Sequence, residues 1–357
     1  MHFIVLPGDG IGPEISAATV DVLKTLDKHF NLQISYEEHE VGLASLKRIG
    51  TTTPDAVLEA ARKADGIILG PVSHSEYPSR AEGGINISAE FRVVFDLFAN
   101  VRPSRSRTGL PHYGRTSMDL VIVRENTEGF YSDRNMHWGI GEFMPSPDMA
   151  LSVRKITAHG SNRIARAAFE LARGRRKKVT AVHKANVIKV SEALFLREVR
   201  KVAQEFADVT YEEQLIDSMA ALLVRDAQRF DVVVTTNMFG DILSDEASEL
   251  SGSLGLAGAI NASDVHCMAQ AQHGSAPDIA GQDRANPVSL ILSAGMLLDW
   301  IARRRDLPNY AKAASVIDKA VDTLVTDPAR RTRDIGGSLG TKAFTAAFIA
   351  EIERLAK

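Results

Sequence analysis

Short apolar runs that each stop at a turn and hand over to a helical pattern constrain this chain more than any other feature. His2-Phe-Ile-Val-Leu6 reads as a strand, Pro7-Gly-Asp-Gly-Ile-Gly12 as a tight turn, and Pro13 as the first residue of a helix reaching about His29. The order repeats along the chain. A helical segment at 54–63 precedes the run Gly66-Ile-Ile-Leu-Gly-Pro71, and Leu120-Val-Ile-Val123 is a further strand. Val179-Thr-Ala-Val-His-Lys184 leads to a helix over about 191–206, residues 209–216 suggest a strand before a helical 218–230, and Val232-Val-Val-Thr235 precedes another helix. This alternation predicts an α/β protein with a parallel sheet and helices outside. With 357 residues and 45% hydrophobic content, the chain can bury a large core and is long enough for two domains.

Composition removes several functional classes. A net charge of -3 and a pI near 6.4 give no overall basic field for nucleic acid. The basic clusters at 173–178 and 303–305 read as solvated helix ends. The single Cys267 excludes an internal disulfide framework, and His266 beside it is too little for a zinc site. The apolar run at 2–6 is too short for a signal peptide or a membrane span, and no later stretch suffices, so the chain is expected to be soluble and cytoplasmic. There is no internal repeat and no low-complexity linker, which points to domains interleaved in sequence.

The stretch Val232-Val-Val-Thr-Thr-Asn-Met-Phe-Gly-Asp-Ile-Leu-Ser-Asp-Glu-Ala-Ser248 concentrates the chemistry. A helix beginning near Gly240 places Asp241 and Asp245 on one face about a turn apart, beyond the carboxyl end of a strand. Hard divalent cations bind such oxygen pairs. A lone Asp241 is equally explained as a helix cap, but Asp245 weakens that explanation, because two anions on one face repel unless a cation lies between them. Arg92 and Arg102 flank a helical pattern over 89–98, and Arg124 follows a strand and opens a polar loop ending at Tyr131. Three guanidinium groups at element ends, with a tyrosine, suit an anion pocket. Lys184, just past a strand, is either a solvated cap or a lysine that handles protons. Asp217 reads as a plain N-cap. Residues 132–150 lack a clear period and suggest an irregular or hairpin excursion that suits a subunit contact. The 7–12 turn lacks the dinucleotide fingerprint because Pro13 replaces its third glycine. The loop His273-Gly-Ser-Ala-Pro-Asp-Ile-Ala-Gly-Gln-Asp-Arg-Ala-Asn-Pro287 is long enough to be functional or mobile.

Taken together, Pro7-Gly-Asp-Gly-Ile-Gly-Pro-Glu14, Phe95-Asp-Leu-Phe-Ala-Asn-Val-Arg-Pro103, Arg124-Glu-Asn-Thr-Glu-Gly-Phe-Tyr131, His183-Lys-Ala-Asn-Val-Ile-Lys189, residues 237–248 and residues 273–287 carry a resemblance. The chain resembles the β-decarboxylating (R)-hydroxyacid dehydrogenases, the isopropylmalate and isocitrate dehydrogenase family, over essentially its whole length. The resemblance implies two interleaved α/β domains that are not of the Rossmann type. The large, cofactor-side domain would be 1–98 and 248–357, and the small domain, carrying metal and dimer contacts, 99–247. It also implies a homodimer with active sites shared between subunits. Arg92, Arg102 and Arg124 would hold the malate carboxylates; Asp241, Asp245 and Asp217 of the partner subunit would bind Mg2+ or Mn2+. Lys184, likewise from the partner, would take the hydroxyl proton, and Tyr131 would return a proton to C3.

The resemblance also reaches the cofactor and the substrate. His273, Gly274, Ser275, Ala276, Pro277, Asp278 and Ile279, with Asn286, would form the NAD site, and Asp278 stands where NADP-dependent isocitrate enzymes carry Lys. A carboxylate accepts a hydrogen bond from a free ribose 2′-hydroxyl and repels a 2′-phosphate. The group at C3 would be read by Asn86-Ile-Ser-Ala89, with Asn86 and Ser88 as contacts. Isocitrate enzymes resemble Ser-x-Asn there, homoisocitrate enzymes an extra Arg at 89, and bacterial isopropylmalate enzymes leucines at 88 and 89. No cation appears at 86–89, so the expectation is NAD-dependent oxidative decarboxylation of a hydroxy-diacid, 3-isopropylmalate or a smaller 3-alkylmalate. Isocitrate, homoisocitrate, D-malate and tartrate are the alternatives, and a silent regulatory subunit is a remote one.

Overall fold

The computed structural model describes residues 1–131 and 133–357. Along the chain the elements are β1 (His2–Leu6), α1 (Gly12–Phe30), β2 (Ser35–Glu38), α2 (Gly42–Ile49), α3 (Asp55–Lys63), β3 (Gly66–Leu69), α4 (Ile87–Val94), β4 (Ala99–Arg105) and β5 (Asp119–Glu125). There follow β6 (Glu142–Ser146), β7 (Met149–Ser152), α5 (Ala158–Arg173), β8 (Lys178–His183), α6 (Ser191–Ala203), β9 (Thr210–Leu215), α7 (Ile216–Asp226), β10 (Val232–Thr235) and α8 (Asn237–Ser251). The last elements are β11 (Ile260–Ala262), β12 (Cys267–Gln270), α9 (Val288–Arg305), α10 (Pro308–Thr326) and α11 (Thr341–Leu355). The architecture is mixed α/β with no dinucleotide-type glycine fingerprint. The chain divides into two compact units, residues 1–91, 107–111 and 253–357, and residues 92–106 and 112–252.

In the first unit the strand order is β2-β1-β3-β12-β11, parallel except for the antiparallel β11–β12 pair. Helices α1, α9, α10 and α11 pack on one another. In the second the order is β4-β5-β10-β8-β9, with β5, β10, β8 and β9 parallel and β4 antiparallel to β5. The continuous apolar strands are explained by burial on both faces. Val121, Val123, Val232 and Val234 enter one core layer with Ile164, Phe169 and Phe195, whereas Leu120, Ile122 and Val233 enter the other with Met219, Leu243 and Ala247. Successive side chains point to opposite faces, and each finds an apolar layer.

Three local expectations are revised. The helical pattern over 89–98 ends at Val94; Asp96 adopts φ 47, Leu97 N–H donates to Arg92 O at 2.9 Å, and β4 begins at Ala99. The left-handed residue ends the helix, as Asp tolerates. The helix carrying the aspartates begins at Asn237 rather than Gly240. Helix α7 begins at Ile216 with Leu215 at the N-cap position and no side-chain cap. The 132–150 excursion, of which residue 132 lies outside the described residues, leads into the β6–β7 hairpin, which runs on to Ser152.

Candidate active site

The period of two in strands decides where the arginines point. Pairing of β4 with β5 sets Arg102 opposite Ile122 and Asn100 opposite Arg124, so Arg102 and Arg124 share the face that bears Ile122. That face is covered by α8, whose Leu243 and Ala247 pack with Ile122. Helix α8 leaves the carboxyl end of β10, and Arg124 lies level with Thr235 at that end. Side chains of one helix face therefore meet Arg124 near the carboxyl end of β5, the usual side for ligands in parallel sheets, and Arg102, which lies in the middle of β4 rather than at an element end.

The contacts are specific. Arg102 Nη1 donates to Asp241 Oδ1 at 3.1 Å, to Asp245 Oδ1 at 3.2 Å and to Ser244 Oγ at 2.8 Å. A cation thus stands between the two carboxylates and offsets the repulsion that their spacing creates. Arg124, with 1% exposure, forks onto Asn237 Oδ1 through Nε at 2.9 Å and Nη2 at 2.6 Å, and pairs with Asp241 through Nη1. Tyr131 O–H donates to Asp241 Oδ2, and the Arg124 guanidinium lies 5.3 Å from the Tyr131 ring centroid. Since α8 starts at Asn237, Asp241 lies past its first turn and caps nothing, which removes the capping explanation.

Electrostatics mark this cluster as short of anions. Burial, together with the neighbouring Arg102, lowers Arg124 to about 10. Burial and the charges of Arg124, Arg134 and Arg102 push Arg92 well below the usual arginine range. The Nε groups of Arg92 and Arg102 are buried without a hydrogen-bond partner among the described residues. Burial alone would raise the Asp241 carboxyl, but the charges of Arg124 and Arg102 outweigh it and hold the group below the usual carboxylate range. Burial, aided by the hydrogen bond to Asp241, raises Tyr131 against the opposing pull of Arg124, so the phenol keeps its proton.

Lys184 and Asp217 form a second constellation. Lys184 follows the end of β8, and its Nζ donates to Asp217 Oδ1 at 2.6 Å. That hydrogen bond lowers the exposed Asp217 carboxyl. Among the described residues no hydrogen bond or ion pair joins this pair to the arginine cluster, and no three His, Cys, Asp or Glu side chains gather as a metal set. Asp217 is the second residue of α7, so its N-cap reading is replaced by an ion pair with Lys184.

In the first unit, residues 273–279 fold against the 7–12 turn. Ile11 N–H donates to Ser275 O at 2.8 Å, Ser275 Oγ lies 2.7 Å from Ser73 Oγ, and Ala276 adopts φ 39 before a short 3-10 turn, Pro277–Ile279. The turn is held by backbone, Ile279 N–H to Ala276 O at 3.2 Å, and by Gln282 Nε2 donating to Asp278 O at 2.7 Å. The exposed Asp278 carboxylate has no partner among the described residues, so it is not tying down its own loop. Burial keeps the His273 ring below its usual pKa, and Nδ1 donates to Gly274 O at 2.9 Å. Gly274 offers open space. Asn286 Nδ2 donates to Asp334 at 2.9 Å and its Oδ1 accepts from Val288 N–H at 3.0 Å, so it fixes the start of α9. Asn86 Oδ1 accepts from Ala89 N–H at 3.2 Å and caps α4, while Ser88 Oγ accepts from Gln270 Nε2, whose Oε1 accepts from Asn261 at 3.2 Å.

Asn237 and Ser244 carry contacts that the sequence reading did not assign, although both lie in the stretch it singled out. A polar residue two positions after a buried strand, four positions before Asp241, was the available signal. Gly240 leaves room for the stem of Arg124: a Cβ there would stand 2.6 Å from Arg124 Cγ.

Residues 2–352 match the isocitrate/isopropylmalate dehydrogenase family. The 3-isopropylmalate dehydrogenase of Saccharolobus solfataricus is 38% identical over 340 residues, 95% of either chain. The isocitrate/homoisocitrate dehydrogenase of Thermus thermophilus is 39% identical over 354 residues, 98% of either chain. The crystal structure of isocitrate dehydrogenase from Methylococcus capsulatus superposes with a TM-score of 0.85 at 36% identity, covering 98% of this chain and 99% of that one. The chain belongs to the isocitrate/isopropylmalate dehydrogenase family and is a decarboxylating dehydrogenase.

Proposed function

We propose that the protein catalyses NAD-dependent, divalent-metal-assisted oxidative decarboxylation of a 3-substituted (R)-malate, with 3-isopropylmalate or a smaller 3-alkylmalate as substrate. The observation that carries this reading is the anion-deficient cluster of Arg92, Arg102 and Arg124 against the Asp241/Asp245 pair and Tyr131. The unpartnered buried Nε groups of Arg92 and Arg102 fit carboxylate oxygens. Asp241 and Asp245 would provide hard oxygen donors for Mg2+ or Mn2+, and Asp217 of the partner subunit would complete a set that the described residues of one chain do not gather. The bound groups supply Lewis acidity toward the C2 oxygen and a hydride acceptor.

Side chains of the two subunits do the rest. The arginines hold the malate carboxylates. Lys184 of the partner subunit, in its neutral amine form, takes the hydroxyl proton as hydride leaves C2, which makes a β-keto acid. Its C3–carboxylate bond then breaks, CO2 departs, and the electron pair remains as an enolate. Tyr131, kept protonated by burial and by Asp241, gives its proton to C3. Asp278, free of loop duties, faces solvent where a ribose 2′-hydroxyl would be read, which supports NAD over NADP.

A homodimer supports this division of labour. The β6–β7 hairpin is exposed on both faces, and Trp138, Ile140, Phe143 and Met144 lie open around it. A lone two-stranded ribbon is marginal in water, so a second copy is its natural cover. Among the described residues the Lys184 and Asp217 side chains make no direct hydrogen bond or ion pair to the arginine cluster, which fits their service to the other chain.

One observation favours a second reading of the substrate: Ser88, which the resemblance assigns to the C3 group, is joined to Gln270 and Asn261 in a polar chain. A hydroxyl- or carboxyl-bearing C3 group, as in tartrate or isocitrate, would use it. NADH release measured across isopropylmalate, methylmalate, isocitrate, homoisocitrate, D-malate and tartrate tests both. Highest kcat/KM with a 3-alkylmalate supports the first reading; turnover of isocitrate or tartrate alone replaces it with the second, and no turnover of any refutes the proposal.

A further inference from the structure

A buried ion pair outside the cluster touches the segments that carry Lys184, Tyr131 and Asp241. Glu192 is fully buried in the first turn of α6, and Arg154, nearly as buried, follows β7. One Glu192 oxygen pairs with Arg154 Nη2; the other accepts the backbone N–H of Lys184 at 2.8 Å. Arg154 Nη2 also donates to Thr236 Oγ1 at 3.0 Å, and Nη1 to Ser191 Oγ at 3.0 Å. Its guanidinium lies 5.7 Å from the Phe130 ring centroid and 5.5 Å from that of Phe239. Thr236 is the N-cap residue of α8, which bears Asp241 and Asp245. Phe130 precedes Tyr131, and Phe239 lies in the first turn of α8.

A carboxylate with no exposure is costly unless each oxygen is used. Here both are, and one of them holds the residue whose side chain is proposed to take the substrate proton. Val182 and Thr235, on adjacent parallel strands, are in register, so β8 and β10 fix where Lys184 and Thr236 leave the sheet. Beyond that point the chain over 184–190 has no strand or helix to hold it; Val187 N–H and Ile188 N–H turn back onto Lys184 O at 3.1 and 2.9 Å. The Lys184 N–H is therefore fixed by Glu192, and Glu192 by Arg154.

We infer that Arg154 and Glu192 are positioning residues for the reaction: Glu192 sets the backbone of Lys184, and Arg154 ties that setting to the segments of Tyr131 and Asp241. The inference rests on the proton-handling role of Lys184 proposed above. Neither side chain touches the reacting atoms. Their effect belongs in kcat, because an ångström-scale displacement of a proton acceptor slows chemistry by up to about 100-fold while the arginines go on binding substrate.

Glu192→Gln keeps the shape and an acceptor for the Lys184 N–H but sets an amide against Arg154. The test is a double-mutant cycle on the full-length protein, with Lys184→Ala as the other arm, read with the best substrate from the NADH screen and Mn2+. Glu192→Gln alone is expected to lower kcat by about 10- to 100-fold, with KM for the hydroxy-diacid within about twofold. In the Lys184→Ala background it should lower kcat no further, because the group it positions is gone. Independent, multiplicative losses, or unchanged kcat in Glu192→Gln, overturn the inference. Wild-type kcat in Lys184→Ala instead overturns the proton-handling role itself, so the two failures are told apart. Arg154→Lys, which keeps the charge but loses the fork, repeats the cycle should Glu192→Gln not fold, with the same outcomes deciding.

Discussion

Replacing Gly240 by alanine separates the requirements of the site from those of the helix that carries it. Gly240 lies inside α8, where alanine is intrinsically favoured by about 1 kcal/mol, so propensity alone predicts a more stable protein. The added Cβ would stand 2.6 Å from Arg124 Cγ, 2.7 Å from Arg124 Cβ and 3.2 Å from Thr235 Cγ2. Carbon contacts settle near 3.5–4.0 Å, so overlap approaches about 1 Å. Arg124 cannot retreat as a whole, because its backbone is paired to Asn100 on one side and Thr235 on the other. Its side chain must leave its rotamer, with loss of the fork onto Asn237 and the pair with Asp241. Overpacking costs about 1–3 kcal/mol, which leaves a net destabilisation of roughly 0–2 kcal/mol after the propensity gain. If Arg124 holds substrate as proposed, displacing its guanidinium by that distance should lower kcat/KM by about 100-fold. Thermal melts and steady-state NADH release on the same preparation measure both. A Gly240→Ala protein with raised Tm and wild-type kcat/KM would refute the reasoning.

Other outcomes follow from the same geometry. Tyr131→Phe removes the proposed C3 proton donor but neither arginine nor carboxylate, so product formation should fall by about 10²–10⁴-fold with Mn2+ affinity, followed by titration, unchanged. Asp278→Ala should cut the NAD over NADP preference in kcat/KM by at least about tenfold without lowering Tm, because the carboxylate holds no part of its loop. Asp241 has a folded pKa below its unfolded one, so its contribution to stability is present above the unfolded carboxyl value of about 4 and is lost as pH falls through the folded value. Calorimetry from pH 5 to pH 3 should therefore show a steeper loss of Tm in wild type than in Asp241→Asn.

The alternation of apolar runs and helical patterns carried the fold class, because strands buried on two faces must be apolar at every position, and Val232–Thr235 shows this directly. The sequence was less legible where polar or special residues build elements. β4 contains Arg102 and Pro103, and β11 lies in a glycine-rich stretch, so neither shows an apolar run. The start of α8 was placed three residues late because Gly240 reads as a turn, whereas its glycine serves the stem of Arg124 inside the helix. Asn237 went unassigned for the same reason. The meeting of Arg102 with Asp241, 139 positions away, depends on strand pairing that no local pattern encodes. Arg154 and Glu192 are individually ordinary in sequence and acquire meaning only through burial and through Lys184.

The central claim is that the Lys184/Asp217 pair of one chain serves the arginine cluster and Tyr131 of another. Two variants expected to be inactive, Tyr131→Phe and Lys184→Ala, carrying different affinity tags, can be unfolded together, refolded and purified through both tags, and the hybrid's NADH release compared with wild type. The account predicts one intact site per hybrid, and hence about half the wild-type activity, while each parent stays nearly silent. A purified hybrid no more active than its parents would contradict it.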